Sequence, residues 1–169
     1  MIYSFRNSGF RDPETGVYNQ TYFLEVFNRE WHRHIREQQS LALLYLYPHL
    51  RETIKHPGIL ELFTKEIEGT LLRATDLLAR MNDDCFAFGL FNIDSQGASV
   101  VAERIEQAIS EFIKRYEKDH SVRMEYKLAT CICSPTREQR IEKLFTNTET
   151  MARLLEQDKG KQSAIECLH

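Results

Sequence analysis

No apolar run in this chain approaches the roughly 18 residues needed to span a bilayer, and the amino terminus lacks the charged-then-apolar layout of a secretory signal. A cytoplasmic location is the expectation, with no membrane contact through this segment. Blocks of like charge are also missing: 22 Lys and Arg are interspersed with 25 Asp and Glu and leave a net charge of -3. That distribution gives no non-specific grip on nucleic acid or anionic lipid, so any anionic ligand must be held locally. The four cysteines have neither metal nor disulfide spacing; Cys131 and Cys133 lie two apart in an expected strand, with Cys85 and Cys167 far from them. Such usage fits a reducing compartment. Histidine pairs at ligand spacing are lacking too. His32 and His34 point apart on an expected helix, and His49, His56 and His120 stand alone, so surface or packing roles are expected and no metal site. Repeats and low-complexity tracts are absent, which excludes a solenoid or a disordered tail.

What is present is an ordinary globular composition, 169 residues with 42% hydrophobic and 28% charged, enough chain for one sizeable core. Residues 1–11 read as a lead-in and residues 12–169 as a single domain. Pro13 and Gly16 enforce a turn, and Asn19 can cap a helix over about 20–37 in which Phe23, Phe27, Trp31 and Ile35 recur every fourth residue, with Leu24 and Val26 widening the stripe. Leu41 to Tyr47 is a continuous apolar run of strand length that Pro48 is expected to end. Leu60, Phe63, Ile67 and Leu71 mark a second helix from Gly58 to about Arg73. Leu77 to Ala79 and Phe86 to Phe91 flank Asn82 and Asp83, side chains that tolerate the positive φ of a tight turn, so this stretch reads as a β-hairpin with a polar tip. A third helix begins after Asp94 or Ser95 and runs to about Lys118. A strand follows over Met124 to Ser134, then a last helix over about Ile141 to Gln157 and, past Gly160, a short strand over Ala164 to Cys167. The order predicts an α+β layer fold, helices packed on a central, mostly antiparallel sheet of about five strands.

Three segments of this pattern resemble the GGDEF family, the diguanylate cyclase domain that joins two GTP molecules into cyclic di-GMP. Asp12-Pro13-Glu14-Thr15-Gly16-Val17-Tyr18-Asn19 is similar to the family's Asp-x-Leu-Thr-Gly-Leu-x-Asn motif, with Glu14 in place of Leu. Arg73 to Met81 resembles the lead into the signature hairpin, and Ala102-Glu103-Arg104 falls where the family's next helix commonly has that triplet. The resemblance covers about residues 12 to 165 and implies a nucleotidyl-cyclase-like fold with a ferredoxin-like palm. It also exposes departures. Where the signature has Gly-Gly, then Asp or Glu, then Glu-Phe, this chain has Asn82-Asp83-Asp84-Cys85-Phe86. The glycines let a nucleotide approach the backbone where a Cβ would intrude. Matching the apolar runs puts Tyr45 and Tyr47 where the family has the acids that hold magnesium, and cysteine is too soft a donor to replace the signature acid. The segment from Leu50 to Gly58 is short and lacks the family's guanine-reading Asn and Asp, and Gln157 stands where the family aims a lysine at phosphate.

The resemblance therefore implies no catalytic residues, with Asn82, Asp83, Asp84, Cys85 and Phe86 a degenerate signature, and no cofactor; magnesium would enter only with residual GTP binding. It further implies that the family's inhibitory site remains, marked by Arg-x-x-Asp five residues before the signature. Arg73 and Asp76 have that spacing, Arg104 matches a second arginine that the family often contributes from a neighbouring protomer, and Arg80 is close enough in sequence to assist with phosphate. An arginine fork and a carboxylate suit the two edges of guanine. The bland alternative for the same pair is a cation at a helix C-terminus and an acid in the next turn. Three functions stay open: a cyclic di-GMP receptor that signals to a partner or attached domain, a nucleotide-free scaffold that pairs with itself or another protein, and a residual cyclase or GTP-binding domain.

Overall fold

Alternation and apolar runs build the centre of the molecule. The computed structural model describes residues 9–52, 58–120 and 122–169; residues 1–8 of the lead-in and 53–57 of the segment before Gly58, with His56, lie outside the described residues. The strands are β1 (Tyr18–Asn19), β2 (Leu41–Glu52), β3 (Leu77–Asn82), β4 (Cys85–Phe91), β5 (Val122–Cys133) and β6 (Ser163–Leu168), and the helices are α1 (Gln20–Glu37), α2 (Ile59–Glu68), α3 (Ser95–His120) and α4 (Ile141–Gln157). They form one sheet of six strands in the order β1-β3-β4-β2-β5-β6. The expectation of about five falls short by the two-residue β1, which pairs parallel with β3, Tyr18 opposite Ala79. The β5–β6 pair is also parallel, and the three pairings between them are antiparallel.

Each face of the sheet is closed by a helix pair. Leu44, Leu46, Leu78, Phe86, Phe88 and Leu90 point to one side and meet Phe63 and Ile67 of α2 and Ile105, Ile109 and Phe112 of α3. Leu41, Leu43, Tyr45, Ala79, Cys85 and Ala87 point to the other and meet Phe23, Phe27 and Trp31 of α1 and Leu144, Met151 and Leu155 of α4. A strand buried on both faces has no polar side to alternate, which is why β2 and β4 read as continuous apolar runs.

Four boundaries and faces differ from expectation, each for a physical reason. Pro48 does not end β2. It lies beyond Leu46, the last β2 residue opposite β4, so β2 has β5 alone as neighbour there and the missing N–H interrupts no second ladder. The second helix stops at Glu68, well short of Arg73, because Gly69 caps it and the Thr70 hydroxyl donates to the Ile67 carbonyl at 2.5 Å. At the hairpin tip the chain turns through Asp83 and Asp84 with a register shift between Arg80 and Asn82, and neither turn residue takes a positive φ. A bulge supplies the twist that a mirror-image turn would otherwise provide. On α1 the buried face is Phe23, Phe27, Trp31 and His34, whereas Leu24 is 40% exposed and Ile35 only half-buried. At 100° per residue, residue 35 has drifted about 120° from the direction of residue 23 while residue 34 is within about 20° of it. The helix periodicity therefore selects the histidine.

Candidate functional site

The connection from α2 to β3 carries the pair singled out by spacing. The Arg73 N–H donates to Asp76 Oδ2 at 3.1 Å while the Asp76 N–H donates to the Arg73 carbonyl at 3.0 Å, a reciprocal turn that fixes both residues. Asp76 is thereby drawn inward until its side chain is 4% exposed; its Oδ1 lies 3.8 Å from Arg73 Nε and has no hydrogen-bond donor. A buried carboxylate oxygen without a hydrogen-bond donor is costly, and the Arg73 guanidinium is its charged neighbour. The Arg73 side chain is 43% exposed. Its guanidinium leans on the end of β4, donating from Nη2 to the Phe91 carbonyl and from Nη1 to the Asn92 carbonyl at 3.4 Å. Arg104, on α3, donates from Nη1 to the Thr70 carbonyl at 3.1 Å, at the start of the same connection. It lines a groove of about 520 Å³ between α2 and α3, together with Leu62, Lys65, Phe112 and Arg115.

The structure thus places Arg73 and Asp76 in contact, with Arg104 reaching from α3 to Thr70 at the start of the connection that leads to them. Arg80 lies elsewhere. It sits at the tip end of the hairpin, its side chain 7% exposed, with Nη1 donating to Glu14 Oε2 at 2.8 Å and to Asp12 Oδ2 at 3.4 Å and Nη2 donating to the Asp83 carbonyl at 3.2 Å. Burial works against ionisation of Asp12, but the Thr15 hydroxyl and amide together with the Arg80 guanidinium outweigh it and hold this carboxyl below the usual range.

On the α1/α4 face, Tyr45 and Tyr47 stand edge to face with ring centroids 6.4 Å apart, beside the Cys85 thiol. Burial raises both phenols well above their ordinary pKa and pushes the thiol up to about 12, with Glu149 adding negative potential and the neighbouring Tyr47 working the other way on the thiol. Asp84 is exposed on the turn, its N–H donating to Asn82 Oδ1 at 2.8 Å. Magnesium demands several hard oxygens in a near-octahedral shell. Neutral phenols and a protonated thiol do not supply it, and the carboxylates of Asp83, Asp84 and Glu149 are solvated.

Two contacts were not legible in the sequence. Glu14 looked like a lapse in the opening motif and is the closest partner of Arg80. His34 is fully buried beneath the end of β4, and its only signal was its angle on the α1 helix. His49 pairs with Glu156 at 2.7 Å, the surface role expected of it.

The family model described as diguanylate cyclase, GGDEF domain, matches residues 58–162. The chain belongs to the GGDEF family. Among solved structures, the diguanylate cyclase SiaD of Pseudomonas aeruginosa in complex with its activator SiaC is 22% identical with a TM-score of 0.69, the alignment covering 99% of this chain and 64% of that one. The coiled coil and GGDEF domain of DgcB from Caulobacter crescentus in complex with c-di-GMP is 12% identical with a TM-score of 0.71, over 99% of this chain and 90% of that one. A microbial GGDEF domain described in a novel interaction mode with cyclic di-GMP is 13% identical with a TM-score of 0.69, over 95% and 99%. At these identities the likeness is one of GGDEF fold. No curated protein matches the sequence. Among the described residues no helix is long and apolar enough to cross a membrane.

Proposed function

We propose that this GGDEF domain is a cyclic di-GMP receptor without cyclase activity, binding ligand through Arg73, Asp76 and Arg104 and transmitting occupancy to a protein partner or an attached domain. The observation that carries the reading is the donor-less Oδ1 of Asp76, buried beside an exposed guanidinium. Guanine suits that pair: its ring N–H and amino group donate to a carboxylate, and its O6 and N7 accept the N–H groups that Arg73 does not give to the Phe91 and Asn92 carbonyls. Arg104 supplies a second fork, to the same copy or to a paired one. Arg80, already committed to Asp12 and Glu14, serves the hairpin rather than phosphate. That related GGDEF domains have been seen with c-di-GMP supports the ligand class.

The absence of cyclase activity rests on the donor set at Tyr45, Tyr47, Asp84 and Cys85, which offers magnesium no adequate shell. Titration calorimetry with cyclic di-GMP is the test. Saturable heat is expected from the intact chain, with affinity reduced at least about tenfold in Arg73→Ala, the weight of one lost charge-assisted contact. Equal affinity in that variant, or no heat at all, removes the receptor reading. Light scattering with and without ligand distinguishes a site completed within one copy from one completed by Arg104 of a second.

A further inference from the structure

A fully buried histidine is an expensive choice where phenylalanine or leucine would pack, so both ring nitrogens of His34 require partners. Nδ1 lies 2.6 Å from the Glu30 carbonyl oxygen, and Nε2 lies 2.8 Å from the Asn92 backbone nitrogen. A carbonyl can only accept and an amide N–H can only donate. Nδ1 therefore carries the proton, and Nε2 presents its lone pair to Asn92. The imidazole is held neutral in a single tautomer, consistent with burial and the nearby Arg33 guanidinium lowering its pKa.

Asn92 follows the last residue of β4 and takes a left-handed φ of 51°, a conformation that asparagine tolerates better than most residues. The same corner of backbone that accepts the two Arg73 donors, at the Phe91 and Asn92 carbonyls, is thus pinned from the other side by His34. Phe91 lies against the imidazole with ring centroids 5.8 Å apart.

We infer that His34 is the positioning residue for Arg73: by accepting from the Asn92 amide it fixes the carbonyl corner on which the guanidinium rests, and so couples the placement of α1 to the ligand site. This inference rests on the cyclic di-GMP reading for its ligand but not for its geometry. Packing alone would be met by an apolar side chain, which would leave the Asn92 N–H without an acceptor inside the fold. Reach distinguishes the two amide replacements. The Oε1 of glutamine extends about as far as Nε2 of histidine and can accept from Asn92, whereas asparagine stops at the level of Nδ1.

The experiment compares wild type, His34→Gln and His34→Asn by cyclic di-GMP titration and by NMR of the Arg73 Nε–H and the Asn92 amide. His34→Asn is expected to weaken binding about tenfold, to mobilise the Arg73 side chain and to speed Asn92 amide exchange, while His34→Gln restores affinity to within about threefold of wild type. Wild-type affinity in His34→Asn, or equal losses in both variants, overturns the inference while leaving the receptor reading intact. If wild type itself binds no cyclic di-GMP, the receptor reading fails, and the inference then stands or falls on whether His34→Asn mobilises Arg73. Wild-type imidazole ¹⁵N shifts provide a check that needs no variant: an Nδ1–H tautomer with scalar coupling from the Asn92 amide to Nε2 is expected, and an Nε2–H tautomer overturns the proposal.

Discussion

Cys85, Cys131 and Cys133 are buried on the same face of the sheet, whereas Cys167 is exposed on β6. Burial pushes the Cys85 and Cys133 thiols up to about 12, and only a thiolate reacts readily with disulfide reagents. Titration of the native protein with an aromatic disulfide at mildly alkaline pH is therefore expected to modify Cys167 alone, with the other three reacting only after unfolding. Rapid native modification of Cys85 would show that the packing around it opens in the folded protein. The sign of the alkaline effect follows from the same shift. The folded thiol of Cys85 is raised from 9.0 to about 12, so the stability it contributes is complete below about pH 9 and is lost as pH rises toward 12. Cys85→Ala should accordingly lose less stability over that interval than wild type, measured by urea unfolding at each pH. The spacing of Arg73 and Asp76 was legible in the sequence, but the burial that makes Asp76 Oδ1 an orphan acceptor was not, because it depends on a turn closed by backbone hydrogen bonds.

Between elements, the turn before β1 is clamped to the hairpin by Arg80, which reaches Glu14, Asp12 and the Asp83 carbonyl at once. Glu14 is largely exposed and Asp12 is not, with side-chain exposures of 61% and 19%, so solvent screens the shorter contact to Glu14 more than the longer one to Asp12. Glu14→Leu, which restores the family's residue, is expected to cost no more than about 1 kcal/mol. Arg80→Met should cost about 2 kcal/mol, because it takes the cation from Asp12, leaving that carboxylate only its Thr15 donors, and frees the Asp83 carbonyl. The folded pKa of Asp12 is depressed below 3.8, so the stability it contributes is present above about pH 4 and is lost as pH falls through the folded value. In Arg80→Met the loss of stability between about pH 5 and pH 3 should be shallower than in wild type, read by denaturant midpoints. A matching acid profile in both would show that the clamp contributes nothing. Elements with one strong period, such as α1 and α4, were legible to their ends. The extension of β2 past Pro48 and the early stop of α2 were not, since each depends on which neighbour the chain has at that point rather than on its own pattern.

At the scale of the whole molecule, one continuous sheet with a core on each face makes local binding a global stabiliser: the proposed ligand at the α2–β3 connection would touch α3 through Arg104, and Arg73 links the same connection to the end of β4. Anything that binds the folded state and not the unfolded one raises stability by RT ln(1 + [L]/Kd), about 2.7 kcal/mol at 100 times Kd. For a domain of this length that is a rise of roughly 5–10 °C in Tm. Cyclic di-GMP is expected to produce such a shift in wild type, and Arg73→Ala should lose most of it. On the proposed reading, GTP with magnesium is expected to leave Tm unchanged, because neutral phenols and a protonated thiol on the face bearing Tyr45, Tyr47 and Cys85 are poor ligands for the metal. The two arms separate the two halves of the proposal. A shift with GTP and magnesium, abolished by Asp84→Ala, would show that the hairpin still binds nucleotide. No shift with either ligand would leave the surface around Arg73 and Arg104 to a protein partner alone.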